Sequence, residues 1–305
     1  MATGPKPRTA AGYHPDVTVA CERALLTLLS AFGGLKTTLR LVGGLVPRYL
    51  TPATPPDVPA HAGTSDVDVV LNLQVIAEGE GYASLADQLA ARGFERHVNT
   101  QGKVSSWQWK RQVDEHTYVL IEFLRDAGNG QPGKPVSVDG ERVSALSVRF
   151  AGIVHDWFQE REISGQLLDG GGISTELVRF ADVPAFVILK ALALDDRQEN
   201  KDAADLVHVL RYSGTIEEIV ELFVQRELSQ AHPGAIAAGL HALRRRFCDN
   251  QHGEGYEMVG SVAYARFHDA DDEEALVRNQ RYAAGLVQSL LDRIDARLNE
   301  IHPQP

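Results

Sequence analysis

Ser65-Asp66-Val67-Asp68-Val69-Val70-Leu71-Asn72-Leu73 is the stretch on which the fold turns. It alternates and is rich in β-branched residues, the signature of a strand. Asp66 and Asp68 are two apart and so share one face of that strand. Val67 between them, with Val69 and Val70 after them, are core-type residues, which puts the acids at the mouth of a buried strand. Two neighbouring carboxylates repel, and burying them is costly unless a cation lies between. A hard divalent ion with oxygen ligands, Mg²⁺ or Mn²⁺, is the usual solution.

Upstream, Leu39 to Val42 reads as a short buried strand broken by Gly43-Gly44, and Leu45 to Leu50 as helix-like. Without a Cβ, a glycine lets the backbone approach a phosphate, and the N–H groups opening the next helix favour anions. The connection to Ser65, TPATPPDVPAHAG, contains four prolines and reads as an irregular loop. Downstream, Tyr82 to Arg92 reads as a helix stopped by Gly93. Trp107 to Val113 and Tyr118 to Leu124 read as strands joined by Asp114-Glu115-His116. Glu122 is the single acid of Val119-Leu120-Ile121-Glu122-Phe123-Leu124. A buried lone glutamate is expensive, so it pairs with a base or joins a metal site. Three carboxylates from two strands are what two-metal phosphoryl transfer requires, one metal on the triphosphate and one lowering the pKa of the attacking hydroxyl. A lone Asp-x-Asp, a lone Gly-Gly or a lone strand glutamate is common on solvent faces; their order and strand contexts together carry the reading.

Further out, Asp16 to Phe32 reads as an amphipathic helix ended by Gly33-Gly34, and residues 1–14 as a disordered tail. Residues 126–141 read as a Gly/Pro-rich loop and Arg142 to Arg149 as a strand. Glu162 to Leu168 and Ile173 to Phe180 flank a hairpin turn, DGGG. From Asp182 the strand signals stop. Pro184 to Leu194, Lys201 to Tyr212, Ile216 to Arg226, Pro233 to Phe247 and Asp271 to Ile301 read as helices. Strands followed by helices indicate an α+β domain over residues 15–181 and a helical domain over 182–305. The near-match to a P-loop at Gly128–Pro135 fails, because Pro135 replaces the metal-binding hydroxyl and Pro-Val-Ser-Val reads extended.

With 305 residues, 44% hydrophobic and 23% charged, the chain is neither collagen-like nor low-complexity. Cys21 and Cys248, the only cysteines, exclude a disulfide scaffold and a zinc finger. A reducing, cytoplasmic setting is expected. No secretory h-region opens the sequence. The best apolar run, Phe186 to Leu194, is too short for a membrane span and carries Lys190, so no membrane partner is expected. A net charge of −11 excludes a basic nucleic-acid coat protein but not an enzyme with a local basic groove. Such a groove would draw on Lys103, Lys110 and Arg111, or on Arg197 and Lys201; the triplet Arg244-Arg245-Arg246 reads as solvated surface.

The pattern hGG, hDhDh, hEh (h, apolar) resembles the nucleotidyltransferase superfamily that includes DNA polymerase β and the aminoglycoside nucleotidyltransferases. Val183 to Leu194, then Arg197 and Lys201-Asp202-Ala203-Ala204-Asp205-Leu206, is similar to the AbiEii/AbiGii-type toxins of type IV toxin–antitoxin systems. The resemblance spans about residues 38–212. It implies a polymerase-β-like mixed sheet with flanking helices, followed by a helical domain. It also implies Mg²⁺ or Mn²⁺, an NTP co-substrate, an RNA (tRNA) acceptor and a cognate antitoxin. Asp66 and Asp68 would hold the metals, and Glu122 would complete the second site or act as general base. Gly43 and Gly44 would cradle phosphates, while Arg48 and Ser65 fill the places of the family's Arg or Ser before the acids. By resemblance, Lys190 would bind the triphosphate, and Lys190 and Asp202 would turn toward the cleft from the helical domain. Taken alone, Lys190 reads as a lysine snorkelling from a core helix, and Asp202 as a first-turn acid at the edge of the buried stripe of Asp205, Leu206 and Val209. Two alternatives stand beside this reading. One is transfer to a small molecule such as a cationic aminoglycoside; the other is a degenerate, non-catalytic nucleotide-binding protein.

Overall fold

Strand β2 (Asp66–Leu71) is the centre of the first of two units in the computed structural model, which describes residues 7–72, 85–115, 117–137, 143–168, 170–251, 253–268 and 272–301. That unit comprises Tyr13–Val46 and Gly63–Ala181. Its strands are β1 (Leu39–Val42), β2, β3 (Phe94–Val98), β4 (Val104–Gln112), β5 (Tyr118–Asp126), β6 (Pro135–Ser137), β7 (Ser144–Val148), β8 (Phe158–Gln166) and β9 (Ile173–Ala181). They form one mixed sheet in the order β3-β4-β5-β2-β1-β9-β8, with β7 pairing the end of β5 and β6 pairing β7. The β2/β5, β5/β7 and β1/β9 pairs are parallel and the others antiparallel.

Helix α1 (Pro15–Phe32) lies on this sheet. A proline in its first turn and Asp16 start it, and Gly33 at φ 50° ends it. Its leucines and Phe32 are buried, Phe32 6.0 Å from the Phe123 ring. By length and composition Pro15–Thr38 would suffice to cross a bilayer, a longer apolar stretch than the nine residues Phe186 to Leu194. Here that apolar surface is a core face. Helix α3 (Leu85–Ala91) ends before Gly93, at φ 72°. Residues 82–84 of the expected helix, Leu73 of the expected strand, His116 and Asp169 lie outside the described residues. Strand β3 was not expected: Glu95, Arg96 and His97 give it no alternating apolar pattern, and pairing with β4 makes it a strand. Strand β6, inside the expected loop, begins at Pro135 and pairs β7.

The second unit comprises Pro7–Gly12, Pro47–Ala62 and the chain from Asp182. Two expectations are corrected. Residues 7–12, expected as disordered, form a turn at Ala10–Gly12 and accept a hydrogen bond from Asn200 on the Arg8 carbonyl. Residues 47–62, expected within the first domain, group with the helices. Those helices are α2 (Pro47–Leu50), α4 (Val183–Arg197), α5 (Asn200–Tyr212), α6 (Ile216–Leu228), α7 (Ala235–Phe247), α8 (Val259–His268) and α9 (Glu273–Ile301). Asp182 caps α4 by accepting from the Ala185 N–H, and its other oxygen holds Arg226. Thr215 and Glu218 form a capping box on α6. Helix α8 was missed because Gly, Ser and Ala dilute its apolar period. The Arg244-Arg245-Arg246 triplet ties helices together: Arg245 and Arg246 both bond Asp195 of α4, and Arg244 bonds Asp295 of α9.

Candidate metal centre

In the parallel register of β2 and β5, Asp68 lies beside Glu122 and Asp66 beside Leu120. On the other flank of Asp68 stands Val42 of β1, and on the other flank of Glu122 stands Gln108 of β4. One row across four strands therefore reads Val42, Asp68, Glu122, Gln108. The alternate residues Val67, Val69, Ile121 and Phe123 point the opposite way and are fully buried. That face is closed by α1; the face with the acids is partly open, with Asp66 buried and Asp68 and Glu122 half-buried. One carboxylate oxygen from each of Asp66, Asp68 and Glu122 lies within 4.8 Å of the others.

Three elements fix these carboxylates. Glu122 Oε1 accepts from Gln108 Nε2 at 2.8 Å. Among the described residues Glu122 makes no ion pair, so of the two roles open to a strand glutamate the base-paired one is not what is seen. An amide holds the carboxylate without neutralising it. Asp66 Oδ1 accepts from Thr64 Oγ1 at 2.8 Å. Thr64 is itself pinned to α1, its N–H donating to Thr18 Oγ1 at 3.1 Å and its carbonyl accepting from Cys21 Sγ at 3.7 Å. Gly43 sits at φ +72°, and a Cβ there would lie 1.9 Å from Asp68 Oδ2. The glycine expected to cradle phosphate thus serves a nearer neighbour, by making room for the Asp68 side chain. Gly43–Leu45 forms a single 3₁₀ turn, and Gly44 is buried within it. The donor set is all carboxylate oxygen, which fits a hard divalent cation and not a soft one.

Ser65 precedes β2 and is half-buried, but the hydroxyl that reaches Asp66 belongs to Thr64. Arg48 is exposed on α2, in the second unit.

Lys190 and Asp202 also belong to the second unit, and the structure joins them to each other. Lys190 is 7% exposed and does not snorkel; its Nζ lies 2.9 Å from Asp202 Oδ1 and 2.7 Å from Asp205 Oδ2. Asp202 also accepts from Arg197 Nε and Nη2 at 2.7 and 2.8 Å. Asp205 accepts from Lys201 Nζ on both oxygens, and its Oδ1 is 2.7 Å from His61 Nε2. Burial pushes both carboxyls up, but the cations outweigh it. Asp202 is held down at about 2 by Lys190 and Arg197, and Asp205 well below the ordinary range by Lys190 and Lys201, helped by the His61 hydrogen bond. Burial opposes the Lys190 charge, yet the two aspartates hold its amine above the ordinary value. Burial lowers His61, and lowers His208 to about 3, so both imidazoles are neutral near pH 7. Sequence reasoning missed Gln108, Thr64 and His61. Asp205 was visible as a stripe-mate of Asp202, whereas His61, in a proline-rich loop, left no signal.

No family model matches this chain, and no curated protein does. Among solved structures it is similar to an antigenic nucleotidyltransferase-like protein from Paracoccidioides brasiliensis, with 13% identity and a TM-score of 0.37. That alignment covers 72% of this chain and 94% of the other.

Proposed function

We propose that the chain is a metal-dependent nucleotidyltransferase that moves a nucleotide from an NTP to an acceptor hydroxyl. The observation that carries the reading is the convergence of Asp66, Asp68 and Glu122 on the open face of two neighbouring strands, beside the Gly43-Gly44 turn. A divalent cation bound there would neutralise triphosphate charge and acidify the acceptor hydroxyl. Asp66 and Asp68 would hold it, in orientations set by Thr64 and Gly43. Glu122, fixed through one oxygen by Gln108, would complete the ligand set or take the proton of the attacking hydroxyl. The acceptor oxygen bonds to the α-phosphorus as the bond to the bridging oxygen of the β-phosphate breaks, and pyrophosphate leaves. Gly43 and Gly44 would present backbone to the phosphates, with Ser65 and Arg48 as further nucleotide contacts.

The resemblance of residues 183–206 to the AbiEii-type toxins favours an RNA acceptor, tRNA in particular, a cytoplasmic setting and a cognate antitoxin. It also assigns Lys190 and Asp202 to catalysis. A net charge of −11 favours a second reading, transfer to a cationic small molecule such as an aminoglycoside. The test is transfer of label from each α-labelled NTP, with Mg²⁺ or Mn²⁺, to total RNA and to an aminoglycoside panel. Label in RNA that disappears in Asp68→Asn supports the first reading; metal-dependent label in the drug alone supports the second. A folded wild type that labels nothing, or an Asp68→Asn protein as active as wild type, overturns both.

A further inference from the structure

The helical unit contains a cavity of about 450 Å³ bounded by residues 59–62, by α5 and by α8. That volume is within the range that holds small ligands. Its wall is ringed with flat side chains: His61 lies 5.1 Å from His208, His208 5.0 Å from Tyr212, and Tyr264 4.9 Å from His268, centroid to centroid. His208 also bonds Thr51 Oγ1 through Nε2 at 3.0 Å. Because burial keeps His61 and His208 neutral, the inner wall they form is uncharged, and each ring can donate or accept a hydrogen bond.

At the rim stands Arg211. Its guanidinium lies 4.9 Å from the Tyr212 ring and 4.8 Å from the Tyr282 ring. Arg197, Arg226, Arg246 and Arg297 of the same unit each hold a carboxylate. Arg211 holds none among the described residues. Two rings thus hold an exposed cation, which no described carboxylate balances, at the edge of an aromatic-walled cavity. Such a fixed guanidinium is suited to bind a phosphate through paired N–H donors, and flat neutral walls suit a heterocyclic ring.

We propose that this cavity is a binding site for a nucleoside monophosphate, its base against the tyrosine and histidine rings and its phosphate on Arg211. The site uses no metal and none of the three clustered carboxylates, so it is independent of the transfer reaction proposed above.

The test is calorimetric titration of the full chain in EDTA with AMP, GMP, CMP and UMP. Nucleosides, inorganic phosphate and 4-hydroxybenzoate serve as controls. At least one monophosphate is expected to saturate, with its nucleoside and free phosphate each about tenfold weaker or worse. Arg211→Gln, an exposed change that should leave the melting temperature in place, is expected to weaken binding by about tenfold or more. Tyr212→Leu, which keeps bulk and removes the ring, is expected to weaken it as well. The proposal is overturned if no monophosphate binds at millimolar concentration, or if Arg211→Gln binds like wild type. It is also overturned if phosphate alone binds as tightly as the nucleotide, or if only the aromatic carboxylate binds.

Discussion

Replacing Gly43 by alanine puts a methyl group where the Asp68 side chain now lies. The ideal Cβ would be 1.9 Å from Asp68 Oδ2 and 2.8 Å from its Cγ, whereas carbon needs about 3.4 Å from such atoms. The carboxylate must therefore retreat by about 1.5 Å, out of the group it forms with Asp66 and Glu122. A misplacement of about 1 Å at a reacting centre costs on the order of 100-fold in rate, so transfer in Gly43→Ala should fall at least that far. The backbone penalty is smaller. An alanine held at φ +72° is strained by about 1–2 kcal/mol. For a domain of this size that lowers the melting temperature by about 2–8 °C. The assay is initial-rate label transfer at saturating Mn²⁺ with a thermal melt of the same preparation. A folded Gly43→Ala protein with wild-type rate and wild-type Mn²⁺ requirement would refute the argument that Gly43 is there to admit Asp68.

Lys190→Met removes the amine shared by Asp202 and Asp205; Arg197 and Lys201 remain, so the cost should sit near the low end of the roughly 3–5 kcal/mol for breaking a buried pair. The melting temperature should drop by about 6–12 °C, and a drop under about 2 °C would show that the network does not need it. Gln108→Leu frees Glu122 Oε1 and should raise the Mn²⁺ concentration for half-maximal transfer about 10- to 100-fold with little change in melting; an unchanged Mn²⁺ requirement would remove Gln108 from the site. His208 titrates near 3 in the fold against 6.5 ordinarily, so its contribution is complete above about 6.5 and is lost as pH falls toward 3. Asp202, held at about 2 against 3.8 ordinarily, keeps its contribution above about 3.8 and loses it as the pH falls from there through about 2. Melting temperatures between about pH 7.5 and 4 should decline more steeply in wild type than in His208→Gln, and equal slopes would contradict the assignment.

The acids and strands of the candidate site were legible because period-two alternation fixes which residues share a face, and Asp66, Asp68 and Glu122 announce themselves as charges among valines and leucines. Their supports were not. Gln108 is one polar residue among many in β4, and only the register with β5 sets it against Glu122. Thr64 matters through Thr18 and Cys21 of α1, contacts more than forty positions apart in sequence. Lys190 was read from its own helix, where a lone lysine either snorkels or faces a ligand; the partners that bury it come from the next helix, and His61 from a loop with no periodicity at all. Strand β3 and helix α8 were missed for one reason: both owe their structure to neighbours more than to local propensity.

The central claim is that Asp66, Asp68 and Glu122 form one site for a hard divalent cation. Titration of the protein with Mn²⁺, followed by electron paramagnetic resonance of the free ion, tests it without reference to substrate or acceptor. Wild type should show saturable binding that Mg²⁺ displaces, with Asp66→Asn, Asp68→Asn and Glu122→Gln each weakening it by about tenfold or more while remaining folded. Equal Mn²⁺ binding by wild type and a folded Asp68→Asn protein would contradict the account.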